Sequence, residues 1–195
     1  MLTIYGDRIS GNCLKVKWVA ERVGRPYRWV DVDVVKGGAK SPDFLAVSPA
    51  GQVPAVVLED GRVLSQSNAI MLHLAEESDL IPADAYDRAV MFQWLFWEQY
   101  SHEPVIAVRR FLKHYLGKSD AEIDPALMVK GTAVLKLMDE RLEANGGWFA
   151  GSDLSLADVA LVAYTRFAHE GGFDLAGYPA VKDWVTAVEM TLPIT

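Results

Sequence analysis

This 195-residue sequence has a single cysteine, Cys13, so no disulfide can form within the chain, which suits a reducing compartment. Its only histidines, His73, His102, His114 and His169, take no metal-ligand spacing with one another or with Cys13. No metal site is expected, and packed or solvated imidazoles are the reading for all of them. Long apolar runs are missing too: residues 105–108 and 160–164 fall far short of the roughly 18 to 20 residues that span a bilayer. Basic charge is in deficit, with 19 Lys and Arg against 26 Asp and Glu and a formal charge of −7. A phosphate backbone would be repelled, and the basic residues are scattered apart from Arg109-Arg110. Neither nucleic acid nor a membrane is expected as a partner. The chain starts on strand-like Leu2-Thr3-Ile4-Tyr5 rather than on a charged segment followed by an apolar signal core, so a cytoplasmic location is expected.

What is present is ordinary globular material, 51% apolar and 23% charged, with enough to bury a substantial core. Up to residue 77 the pattern alternates between strand and helix, and beyond residue 84 nearly everything has helical periodicity. Residues 2–5 read as a strand, 13–23 as a helix stopped by Gly24, and 27–32 as a second strand returning parallel to the first. A short helix over 42–47 is capped by Ser41, strands over 54–58 and 62–65 flank the turn Glu59-Asp60-Gly61, and a helix over 67–77 is capped by Ser67. A connection over 78–83 leads to helical stretches over 84–116, 125–144, 155–169 and 179–190.

Four elements carry chemistry or specificity. Ser10-Gly11-Asn12-Cys13 opens a helix, whose N-terminal N–H groups and positive dipole end favour an anion such as a thiolate. The local pattern leaves Ser10 either as a helix cap or as a hydroxyl aimed at that anion. Serine stands where thioredoxins have the first cysteine of Cys-x-x-Cys, so Cys13 reads as a packing residue rather than a nucleophile. In Gly51-Gln52-Val53-Pro54-Ala55, the proline taken alone suggests a trans strand start. Ser65-Gln66-Ser67-Asn68 precedes a helix with exposed N–H groups. In Gly151-Ser152-Asp153-Leu154-Ser155-Leu156-Ala157-Asp158, Ser155 and Asp158 form a capping box, with Leu154 and Val159 as its hydrophobic staple.

Together, over almost the whole chain, these elements resemble those of cytosolic glutathione transferases of the bacterial serine type, similar to the theta, beta and zeta classes. The resemblance implies an α/β thioredoxin-like N-terminal domain over residues 1–77 that binds glutathione. An all-α C-terminal helical domain over residues 84–195 would shape the second-substrate site. It implies Ser10 as the catalytic hydroxyl, with Asn12, Cys13 and Tyr5 as rival contacts to the sulfur. A cis Val53-Pro54 bond would turn the N–H and C=O of Val53 toward the cysteinyl part of glutathione.

Gln66, where many relatives have Glu, and Ser67 would hold the γ-glutamyl end, with Glu98 of a neighbouring subunit as a source of negative charge. Lys40 and Gln52 would meet the glycyl carboxylate, although a solvated Lys40 is the competing reading because Ala39 replaces a histidine common in relatives. In the helical half, residues 93–104 form an aromatic stretch. There Trp94, Trp97 and Ser101 would share one face and Leu95, Gln99 and His102 another. Tyr5, Tyr100, Val108 and Phe111 would line the second-substrate site, and Arg109-Arg110 would either attract an anionic co-substrate or form a solvated face. The implied protein is a homodimeric detoxification enzyme that conjugates glutathione, its co-substrate, to small apolar electrophiles. A zeta-type isomerase and a non-catalytic binding module are the alternatives.

Overall fold

The computed structural model describes residues 1–192 and 194. Met1–Ser78 forms one compact unit and Asp79–Leu192 another. The fold is that expected, an α/β thioredoxin-like unit and an all-helical one.

In the first unit β1 (Leu2–Gly6) alternates buried Leu2, Ile4 and Gly6 with half-buried Thr3 and Tyr5, the period-two pattern of a central strand. β1 pairs in parallel with β2 (Tyr27–Asp31) and antiparallel with β3 (Ala55–Val57). β3 turns through Gly61, at φ +85°, into antiparallel β4 (Val63–Ser65). The strand order is β2-β1-β3-β4. The crossover α1 (Gly11–Arg22) buries Cys13, Val16, Val19 and Ala20, each large aliphatic contributing about 1.5 to 3 kcal/mol. It packs against α3 (Ser67–Leu74).

Gly6 allows α1 to close on the sheet, because a Cβ there would lie 2.8 Å from the Trp29 ring and 3.1 Å from Cys13 Cβ. α2 (Pro42–Val47) is capped by Ser41, whose Oγ accepts the Phe44 N–H at 3.3 Å. Phe44 joins Val32, Ala39 and Ala55 in a small core against which Tyr5, Val34, Val47 and Val53 pack.

In the second unit Asp84 caps α4 (Ala85–Trp97) by accepting from Tyr86 and Asp87 N–H at 2.8 and 3.0 Å. The helix continues through a π-helical turn at Glu98–His102, α5 (Glu103–Arg110) and a second π-helical turn at Phe111–Tyr115. Each wide turn takes up an additional residue and rotates the next stretch of helix about its axis. Trp94, Leu95, Glu98 and His102 are buried, whereas Phe96 and Tyr100 are exposed, and the Trp94 and Trp97 rings meet on one face with centroids 5.0 Å apart. α6 (Pro125–Ala144), α7 (Leu156–Thr165) and α8 (Pro179–Thr191) complete the unit.

α7 is buried along its whole length, and Asp158 anchors it. Its Oδ2 accepts the N–H and hydroxyl of Ser155 at 2.9 and 2.8 Å, and its Oδ1 accepts Phe149 N–H at 3.1 Å and Trp184 Nε1–H at 3.0 Å. Among the described residues no helix is long and apolar enough to cross a membrane, and no group of three or more His, Cys, Asp or Glu could hold a metal ion.

Candidate functional site

The elements that bring candidate residues together in the first unit are the starts of α1 and α3. Ser10 stands at the N-cap of α1 in extended conformation, φ −84° and ψ 117°, yet its side chain makes no capping hydrogen bond. No acidic residue occupies the first turn of either α1 or α3, so neither positive dipole end is neutralised from within its own helix. The Ser10 hydroxyl bonds instead to Cys13. Burial pushes the Cys13 thiol up to about 11, while the hydrogen bonds from Ser10 and from Asp7 N–H, the latter at 3.3 Å, pull it back in part. Cys13 is thus a buried neutral packing residue. Asp7 fixes the loop before α1, its two carboxylate oxygens accepting Ile9 N–H at 3.1 Å and Val34 N–H at 2.8 Å.

The start of α3 differs from expectation. Ser67 is its first helical residue, and Gln66 takes the N-cap position at φ +70° and ψ 112°. A side-chain-bearing residue at positive φ is uncommon and strained, a state that clusters where backbone direction matters to a ligand. Released from capping, Ser67 Oγ donates to Asn12 Oδ1 at 3.0 Å, and Lys15 Nζ donates to the same oxygen at 2.8 Å. Asn12 and Ser67 are therefore in direct contact across α1 and α3. The sequence reading missed Lys15, although its spacing of three residues from Asn12 on one helix was a usable signal.

The Val53-Pro54 peptide bond is cis. Pro54 is buried, and half-buried Val53 packs against the same small core as Tyr5, whose ring centroid lies 6.2 Å from that of Phe44. Lys40 is a tethered cation: its Nζ donates to Gly51 O at 3.1 Å and Ala50 O at 3.4 Å, next to exposed Gln52.

In the helical unit Tyr100, Val108 and Phe111 are 88%, 40% and 37% exposed. Arg109 and Arg110 form neither a solvated face nor an anion trap, because both are buried and committed within the unit. Arg109 donates to Gly171 O at 2.7 Å and pairs with Asp120, while Arg110 pairs with Glu170, donates to Tyr115 OH at 2.9 Å and stacks 4.4 Å over the Phe167 ring. Carboxylate partners 11 and 60 residues away absorb a pair that looks free in sequence. Glu98 is fully buried, with Gln99 Nε2 donating to it at 2.8 Å. It therefore offers no exposed carboxylate to a neighbouring subunit.

This geometry coincides with strong likenesses to known proteins. Residues 9–77 match the family described as Glutathione S-transferase, N-terminal domain, and residues 91–191 match Glutathione S-transferase, C-terminal domain. The fold is similar to a crystal structure of a glutathione S-transferase from Pseudomonas fluorescens, with TM-score 0.92, 41% identity, and coverage of 96% of this chain and 94% of that one. It is also similar to one from Xanthobacter autotrophicus, with TM-score 0.90, 42% identity, and coverage of 96% and 92%. A curated relative from Escherichia coli, the disulfide-bond oxidoreductase YfcG, is 32% identical over 180 residues, 89% of this chain and 83% of the relative. With both halves matched, the chain belongs to the glutathione S-transferase family.

Proposed function

We propose that the protein is a glutathione transferase that binds glutathione on its first unit and adds the thiolate to apolar electrophiles. The observation that carries this reading is Ser10, an N-cap residue whose hydroxyl makes no capping bond to its own helix. Such a hydroxyl can rotate from Cys13 to a ligand sulfur at the positive end of α1 and bond to its charged form. A free thiol titrates near about 8.5, so a shift of about two units, roughly 2.7 kcal/mol, makes the thiolate dominant at neutral pH.

In this reading Gln66, Ser67 and the start of α3 take the γ-glutamyl end, and Val53 pairs its N–H and C=O with the cysteinyl part. Lys40 and Gln52 take the glycyl carboxylate. The thiol proton leaves to solvent, and the sulfur lone pair forms the new bond to the electrophilic carbon as that carbon's leaving group departs. In the first unit Tyr5, packed on the Phe44 core, supplies an apolar contact to the electrophile, and in the second Tyr100, Val108 and Phe111 are exposed apolar candidates for the same role. Phe96, exposed on α4 and stacked on Phe92, is an apolar side chain available to a second copy in a homodimer.

Retention on immobilised glutathione followed by a chlorodinitrobenzene conjugation assay and a wider electrophile panel tests the reading. Retention with turnover is expected. Binding without turnover of any electrophile points to a binding module, and no binding at all overturns the reading. A disulfide substrate belongs in the panel because of the Escherichia coli relative's name. With Cys13 buried and its thiol pushed up to about 11, any such activity here would run on the thiol of glutathione itself.

A further inference from the structure

One charged group beside the proposed site is buried, the ammonium of Lys15. Lys15 lies in the second turn of α1 and is 0% exposed, an expensive place for an ammonium and one that calls for a specific partner. Its Nζ meets Asn12 Oδ1 at 2.8 Å, and Ser67 Oγ meets the same oxygen at 3.0 Å. An ammonium donates hydrogen bonds and never accepts them. Turning the Asn12 carboxamide over would set its N–H2 against a buried cation, so the carboxamide has one permitted orientation, oxygen toward Lys15 and Ser67 and nitrogen away from them.

We propose that Lys15 is a positioning residue for the glutathione thiol. By pinning Asn12 Oδ1 together with Ser67, it fixes the Asn12 amide as an N–H donor to the sulfur, beside the hydroxyl of Ser10. The inference rests on the glutathione reading and adds a link to it. Because Ser67 belongs to the γ-glutamyl end, the same oxygen ties the holding of that end to the geometry at the sulfur.

The charge also reaches the level of the sulfur. The Lys15 ammonium pulls the neighbouring Cys13 thiol downward, while the Asp7 carboxylate pushes it upward. The alternative is that Lys15 merely holds α1 to α3, which would alter stability but leave the bound thiol's titration unchanged.

The test begins with wild-type protein and glutathione in a calorimetric titration. If no binding is seen, the glutathione reading itself fails and this inference falls with it. With binding established, ultraviolet thiolate absorbance gives the bound thiol's pKa for the wild type, Lys15→Met, Lys15→Arg and Asn12→Ala, each checked for an intact near-ultraviolet dichroism spectrum. Lys15→Met and Asn12→Ala should each raise that pKa by about one unit, roughly a tenfold loss of thiolate below it, and Lys15→Arg should recover most of the shift.

A folded Lys15→Met variant with the wild-type pKa overturns the proposal. If Lys15→Met does not fold, the wild-type protein decides: the Asn12 side-chain amide resonances should shift on adding glutathione and shift much less with S-methylglutathione, which has no thiolate. An Asn12 amide that responds to neither, or equally to both, overturns it as well.

Discussion

Replacing Ser10 by alanine separates chemistry from stability, because of the geometry around its hydroxyl. A serine that caps its helix typically loses about 0.5 to 2 kcal/mol of stability when truncated to alanine. Ser10 makes no capping bond, and its hydroxyl bonds to the buried Cys13 thiol, a weak acceptor. The stability change should therefore stay below about 0.5 kcal/mol, within roughly 2 °C of the wild-type melting temperature for a chain of this size.

Loss of one hydrogen bond to a thiolate is worth about 1.5 to 3 kcal/mol, which predicts a tenfold to hundredfold fall in conjugation near neutral pH, on the order of one to two decades. Glutathione affinity should change little, since the other proposed contacts lie on Lys40, Gln52, Val53, Gln66 and Ser67. The bound thiol's pKa should rise, so the deficit should shrink as pH increases. A pH–rate profile with saturating chlorodinitrobenzene, run beside a melting curve, checks both halves. Wild-type turnover with an unchanged profile in Ser10→Ala, combined with collapse in Tyr5→Phe or Asn12→Ala, would remove Ser10 from the mechanism while leaving the fold and glutathione binding standing.

Asp158→Ala leaves four buried donors without their acceptor, so it should cost on the order of 3 to 5 kcal/mol and lower the melting temperature by roughly 10 °C. Residual folded enzyme at low temperature should keep its turnover per active site; selective loss of turnover at full stability would contradict a structural role. Gly131→Ala places a Cβ into the Phe173 ring, with Val105 Cγ1 3.3 Å away. Despite a gain of about 1 kcal/mol in helix propensity, it should be net destabilising by denaturant melting. Cys13 should resist a thiol reagent at pH 8 until the protein is unfolded. Its folded thiol titrates near 11, above its unfolded value, so the stability it contributes is intact below about pH 9. That contribution is lost between about pH 9 and 11, up to roughly 2.7 kcal/mol. Unfolding midpoints across that range, with Cys13→Ala as the reference, measure it.

The first unit was readable because its signals are local. Tyr27 to Asp31 is rich in aromatic and β-branched side chains, Gly61 demands a tight turn, and Ser41 caps a helix that starts with proline. Ser67 was misplaced by one position because nothing in the sequence marks Gln66 as a residue at positive φ, a backbone state usually left to glycine. Arg109 and Arg110 were misread because Asp120 and Glu170, which neutralise them, come together with them only after the helices pack. The π-helical turns at Glu98–His102 and Phe111–Tyr115 were invisible to periodicity. A helical wheel assumes one constant angle per residue and cannot mark where that angle changes.

The contact between Ser67 and Asn12 bridges 55 residues of chain. The first turn of α1 cannot acquire its final arrangement during synthesis until nearly the whole unit has emerged, because one of its partners arrives on the last helix of that unit. A fragment ending before residue 67 would hold Asn12 without the Ser67 hydroxyl that bonds to it. Binding should therefore appear all at once as the unit folds, and a ligand at a hundred times its dissociation constant would stabilise the completed unit by about 2.7 kcal/mol while giving nothing to partly folded chains.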